Sequence, residues 1–204
     1  MIRGVGLSLF LGFWTMNGEN ERTRRGLSAR TCVYMAAGAA LLALGAWITV
    51  PTVVPFSMQT FVLFLLIGTV GAAVSAGAVT LYLLLGAAGV PVFAAFGAGV
   101  GVLFGPTGGF LFGFLLVCGI CRAAEAIAAK SPRPQAVLLG GMIAGMLLCY
   151  VCGAVWLGAV YAARGQATSA WRVICLSVLP FLLPDAVKIA LAWVVAKKLR
   201  RWVR

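Results

Sequence analysis

The chain contains no histidine, and only four of its 204 residues are acidic: Glu19, Glu21, Glu125 and Asp185. Without histidine, the commonest metal ligand and the usual general base at neutral pH are missing. Asp185 has no second carboxylate near it in sequence, and no nucleophile stands beside a base. Acid–base and metal-assisted chemistry therefore lack their parts, and an enzyme is not expected. No Gly-x4-Gly-Lys-Ser/Thr phosphate loop occurs, which excludes ATP hydrolysis by that route. What fills the chain instead is apolar: 63% of it is hydrophobic and its mean hydropathy is +1.07. Those values exclude a soluble globular domain and imply an all-α, polytopic integral membrane protein. The net charge of +12 does not indicate nucleic acid, because the basic residues form no stripe with interleaved aromatics. They cluster at the ends of apolar runs, as membrane loops do.

Six cysteines are present. Cys118-Gly-Ile-Cys121 and Cys149-Tyr-Val-Cys152 have the spacing of a four-thiolate zinc site, but each pair lies in or at the end of a hydrophobic run rather than in the turn a zinc ribbon requires. They read as small apolar helix residues. Neither a metal nor another cofactor is expected.

Residues 1–30 read as an N-terminal tail. Residues 1–15 make a short apolar run with no small-x-small cleavage site, and the polar segment that follows Met16 makes Met16 an alternative translation start. The membrane domain occupies residues 31–204. Apolar runs predict six transmembrane helices: 31–50, 58–74, 75–89, 110–129, 135–163, and a last one starting near Pro184 and running into the basic tail. Residues 51–57, with two prolines, form a short external connection, and residues 171–183 an outer segment interrupted by Pro180. Between helices three and four, residues 94–109 are glycine-rich and uncharged. Such a loop is tolerated at membrane depth only where protein or a cavity covers it, which suits a re-entrant or binding loop. The positive-inside rule orients the chain. Arg22, Arg24, Arg25, Arg30, Arg122, Lys130, Arg133, Lys197, Lys198, Arg200, Arg201 and Arg204 fall on one side against Arg164 and Arg172 on the other, so both termini are expected in the cytoplasm.

Asp185 and Lys188 stand out against this background. Three residues apart, they share one helix face and can touch. Each costs about 2.5–3.5 kcal/mol to insert at membrane depth, so such groups pair, face the interior and mark a ligand site or pathway. Pro184 followed by an acid also reads as a helix start, with Asp185 favouring the dipole. An ionised Asp only accepts hydrogen bonds and Lys only donates, so together they make a two-ended clamp for a polar ligand.

The ordered set Val54-Pro-Phe-Ser-Met-Gln-Thr60, Leu81-Tyr-Leu-Leu-Leu-Gly-Ala-Ala-Gly-Val-Pro-Val-Phe93, Gly105-Pro-Thr-Gly-Gly-Phe110 and Pro184-Asp-Ala-Val-Lys188 resembles the BioY family from about residue 30 onward. That family supplies the biotin-binding substrate (S) component of energy-coupling factor transporters. The resemblance implies a multi-pass subunit of a bacterial plasma membrane. It would capture biotin from outside and deliver it with a transmembrane T protein and two cytoplasmic ATPases. Asp185 and Lys188 would bind the ureido group or carboxylate, Phe56, Tyr82 and Phe93 would wall the ring system, and Gln59 and Thr107 would add polar contacts. The family's small-residue contact with the T protein would fall on Ala36/Ala40 or on Ala39/Ala43 of the first helix. Where some relatives carry a further amide or basic side chain, residues 94–104 of this chain have no polar side chain at all. The alternatives are an S component for another small vitamin or for a precursor such as dethiobiotin, a membrane-embedded lipid enzyme using Asp185 as base, and a channel or structural membrane protein.

Overall fold

The computed structural model describes residues 28–50, 54–166 and 169–203. Met16 and the tail segment 1–27 lie outside them. Residues 34–204 form one compact unit, and of the unit before it only residues 28–33 are described.

Eight α-helices follow one another among the described residues: α1 (Ala29–Trp47), α2 (Gln59–Val70), α3 (Ala72–Ala87), α4 (Val100–Leu103), α5 (Gly108–Ala128), α6 (Pro134–Ala163), α7 (Ala170–Ser177) and α8 (Leu179–Val203). Four stretches are long and apolar enough to cross a membrane: α1, α5, α6, and the continuous run Ala170–Arg200 that contains α7 and most of α8. Helices α2 and α3 fall short. At 12 and 16 residues they span about 18 and 24 Å, against roughly 30 Å of hydrocarbon.

Their boundary lies at the small residues around Gly71 that separate the two apolar runs in the sequence, but the expected helix bounds at residues 74 and 75 do not hold. The chain instead breaks at Gly71, whose φ of 91° and ψ of 160° only glycine adopts readily. A single residue thus joins two helices that fold back on each other, bringing Gln59 at the start of α2 to Tyr82 near the end of α3. Two ionic side chains from elsewhere satisfy this break. Glu125 of α5 accepts a hydrogen bond from the Ala72 amide at 2.7 Å, and Arg200 of α8 donates to the Gly68 carbonyl. Both are groups that helix ends leave without intrahelical partners. Glu125 therefore caps a helix as well as pairing with Arg122 at 3.3 Å.

The sixth predicted helix also starts elsewhere. The break falls at Val178 (φ −126°, ψ −57°), α8 begins at Leu179, and Pro180 sits in its first turn rather than interrupting a helix. Pro184 lies inside α8, so Asp185 is a mid-helix residue and not a helix start. The first helix ends at Trp47 rather than at residue 50, and Thr49–Val50 pair with Phe56–Ser57 as a short antiparallel ribbon across the connection; residues 51–53 are outside the described set. The glycine-rich segment contains a 3-10 turn at Ala94–Phe96 and α4, and α5 begins two residues earlier than expected, at Gly108.

Close backbone approach governs the packing of α5 on α6. A Cβ on Gly113 would meet Cys149 Sγ at 2.6 Å, and one on Gly141 would meet the Ala124 Cβ at 2.4 Å. In a lipid phase, where apolar exclusion between helices is weak, such small-residue contacts supply the packing. Cys118, Cys121 and Cys149 are buried along these faces as free thiols.

Candidate functional site

Asp185 and Lys188 lie one helical turn apart on α8 and form a 2.9 Å ion pair. They are 3% and 5% exposed, so the surroundings must satisfy them. Three neighbours do so. Thr60 in the first turn of α2 donates to Asp185 Oδ1 at 2.9 Å. Tyr150 of α6 donates to Oδ2 at 2.7 Å. Lys188 Nζ donates to the Ser57 carbonyl at 2.7 Å, to Thr60 Oγ1 at 3.2 Å and to Asp185 Oδ1 at 2.9 Å. It also stands 3.8 Å above the centre of the Phe56 ring. All three ammonium protons are thus engaged, while the carboxylate, with about four acceptor positions, receives three donors. The pair is neutral as a unit and held from α2, α6 and the ribbon strand.

Beside it lies a cavity enclosing about 750 Å³ of open space, its mouth included. Its polar wall is Ser57, Gln59, Thr60, Thr107, Tyr150, Ser177, Asp185 and Lys188, and its apolar wall includes Phe93, Phe110, Phe114, Met146 and Phe181. Of the residues expected from sequence, Asp185, Lys188, Gln59, Phe93 and Thr107 come together here. Phe56 and Tyr82 do not line the cavity and act one layer back. Phe56 stacks on Phe181 with ring centres 6.0 Å apart. Tyr82 accepts a hydrogen bond from Gln59 Nε2 at 2.6 Å and meets Phe93 edge-on at 5.4 Å. Gln59 is also tied to Ser57, whose hydroxyl donates to Gln59 Oε1 at 2.9 Å.

Local structure explains these placements. Phe93 rests on Gly86, where a Cβ would come within 2.0 Å of the ring. Trp47 Nε1 donates to the Pro91 carbonyl at 3.0 Å and Trp156 Nε1 to the Gly105 carbonyl at 2.9 Å, anchoring the two ends of the glycine-rich segment. Thr107 precedes α5, and its side chain makes no capping bond to that helix. Its hydroxyl is therefore not engaged by the helix end it precedes. Sequence reasoning missed Thr60, Tyr150, Ser177 and Phe181. Thr60 closed one of the motifs quoted above, and Tyr150 was one of two tyrosines in the apolar run 135–163; only the packing of α6 and α2 against α8 assigns them to Asp185. On α1, Ala39 and Ala43 are buried within the chain, whereas Ala36 and Ala40 are exposed.

A buried, neutralised ion pair bordering a mainly apolar cavity in a multi-pass helical membrane protein has the chemistry of a candidate small-molecule site. The fold is similar to a crystal structure of the S-component for biotin from an ECF-type ABC transporter, with a TM-score of 0.71 over 87% of this chain and 94% of that one, at 20% identity. The chain belongs to the BioY family, whose model matches residues 19–204. It is 35% identical over 163 residues to the biotin transporter BioY of Thermotoga maritima, covering 79% of this chain and 90% of that protein. It is 32% identical over 175 residues to a protein of Pyrococcus horikoshii named "Probable biotin transporter BioY", covering 85% and 98%.

Proposed function

We propose that this chain is the biotin-binding S component of an energy-coupling factor transporter, with Asp185 and Lys188 as its ligand clamp. The observation that carries this reading is the remaining acceptor position on Asp185 beside a cavity whose lining is otherwise mainly apolar. A ureido N–H fills that position without disturbing Tyr150 or Thr60. The ureido oxygen reaches Lys188 only by replacing one of its three acceptors, and Thr60, at 3.2 Å the longest of the three, yields first. Phe93, Phe110 and Phe181 enclose the ring system. The ligand carboxylate lies toward Thr107 and the start of α5, where the helix dipole favours an anion; this compensates for the missing polar side chain in residues 94–104.

The transporter reading carries further proposals. The hairpin of α2 and α3 counts as two of six membrane-inserted segments, with both termini cytoplasmic. The membrane domain begins with α1 at Ala29, two residues before the start at residue 31 expected from sequence. A T protein and two ATPases supply the energy, since the chain has no phosphate loop of its own. Ala36 and Ala40 meet the T protein, because their exposure supports contact with a partner while Ala39 and Ala43 already pack inside the chain.

Equilibrium dialysis of the detergent-purified protein with labelled biotin tests this reading, with dethiobiotin as competitor and Lys188→Met beside the wild type. Stoichiometric biotin bound by the wild type and lost in the variant is expected. A folded wild type that takes up no biotin would sink the substrate assignment, and stronger competition by dethiobiotin would shift it to the precursor.

A further inference from the structure

A second concavity lies between α6 and α8 and shares Met146, Tyr150 and Asp185 with the first. Its walls are apolar: Leu139, Ile143 and Leu147 on α6 face Ala186, Ala190 and Trp193 on α8, and it closes against Tyr150 and Asp185. From Leu139 to Tyr150 the groove runs about 17 Å along α6, close to the ~15 Å that one leaflet contributes to a bilayer core. Its other end is polar. One turn beyond Leu139 on α6 is Gln135, and one turn beyond Trp193 on α8 is Lys197. These two border a small recess together with Arg200. Lys197 Nζ lies 5.0 Å from the centre of the Trp193 ring. Among the described residues the only ion pairs are Arg122–Glu125 and Lys188–Asp185, so neither Lys197 nor Arg200 is neutralised by a carboxylate. The amino end of α6 lies at this same end of the groove, with no side-chain cap from Arg133, and adds the positive end of a 30-residue helix dipole.

An apolar channel of one leaflet's depth that ends in uncompensated positive charge is complementary to a single molecule with a long apolar chain and an anionic head. We infer that the groove between α6 and α8 holds an anionic phospholipid, one acyl chain along Leu139–Tyr150 and the phosphate beside Gln135, Lys197 and Arg200. Basic pockets between helices at one membrane face recognise anionic headgroups in this way. A zwitterionic lipid fits the channel but gains less at its charged end, and a protein helix would leave the basic end without a counter-charge unless it brought an acid there.

The test is native mass spectrometry of the whole chain in mild detergent, titrated with phosphatidylglycerol and, separately, phosphatidylcholine of the same chains. Phosphatidylglycerol should bind more tightly. Lys197→Gln should weaken it about fivefold, the effect of one basic residue near a charged surface, and leave phosphatidylcholine unchanged. Ala190→Phe, an exposed position whose larger side chain fills the channel, should weaken both. Brominated acyl chains should quench tryptophan emission in the wild type more than in Trp193→Phe. Equal binding of the two lipids, with no effect of Lys197→Gln, would overturn the proposal by reducing the groove to ordinary lipid contact. So would loss of self-association in Ala190→Phe with lipid binding intact, which would make the groove a contact between copies of this chain. None of these readouts depends on the ligand of the first cavity.

Discussion

Replacing Lys188 by methionine keeps the length of the side chain and its contact with the Phe56 ring but removes three hydrogen bonds and the only charge opposing Asp185. Removing one member of a buried pair costs about 3–5 kcal/mol, because the other charge stays desolvated. Here the value belongs at the low end, about 3 kcal/mol, since Tyr150 at 2.7 Å and Thr60 at 2.9 Å still donate to the carboxylate. For a chain of this length each kcal/mol moves Tm by about 2–4 °C, so Lys188→Met should melt about 6–12 °C lower. The double variant Asp185→Asn/Lys188→Met leaves no charge unpaired, and the amide oxygen can still accept from Tyr150. It should recover at least about 2 kcal/mol of the loss. If Asp185 and Lys188 form the proposed clamp, ligand binding should be absent from the single and the double variant alike. After the exposed Cys32 and the half-buried Cys152 and Cys175 are blocked, a thiol-reactive dye reads the melting, since Cys118, Cys121 and Cys149 are buried; dialysis against labelled biotin reads the binding. If the double variant melts below Lys188→Met, or if the single variant melts with the wild type, the stranded charge is not the source of the cost and the reasoning fails.

Tyr150→Phe deletes the donor to Asp185 Oδ2 without opening space. Bonds of this kind, made to a charged group, contribute about 1.5–3 kcal/mol, so ligand affinity should fall about tenfold or more in the dialysis assay; an unchanged affinity would mean that Tyr150 does not orient the carboxylate. Glu125→Ala strands the Ala72 amide and should cost about 1 kcal/mol, as loss of a helix cap does, whereas Glu125→Gln keeps an acceptor and should lose less. Equal drops in melting temperature for the two would remove the capping role. Gly86→Ala puts a Cβ within 2.0 Å of the Phe93 ring and must push that ring toward the cavity; the overpacking should cost about 1–3 kcal/mol and weaken ligand binding, and normal binding in dialysis would show that Phe93 is not a fixed wall.

Much of this protein is legible in its one-dimensional order. The scarcity of charge and the long apolar runs determine a helical membrane protein, because each backbone amide in lipid must bond within its own helix. The spacing of Asp185 and Lys188 determines that they share a helix face, since three residues make nearly one turn. The order of the four motifs was enough for the family resemblance. Other features required tertiary structure. The small residues around Gly71 marked the separation of α2 from α3, but the helix bounds were set three residues too late, because an apolar run gives little sign of where one helix ends and the next begins; the Glu125 and Arg200 side chains that complete that turn come from positions 53 and 132 residues away. The start of α8 was misplaced because proline suits a first helical turn and tolerates an interior position when neighbours satisfy the freed carbonyl. The partners of the ion pair, Thr60 and Tyr150, lie 125 and 35 residues from Asp185. Propensity and periodicity act along the chain over a few residues, whereas a buried charge is stabilised by whichever side chains packing brings within 3 Å. The sequence therefore determined that two charges had to be paired inside a membrane protein, and only the packing of α2 and α6 against α8 decided which neighbours hold them and which cavity they face.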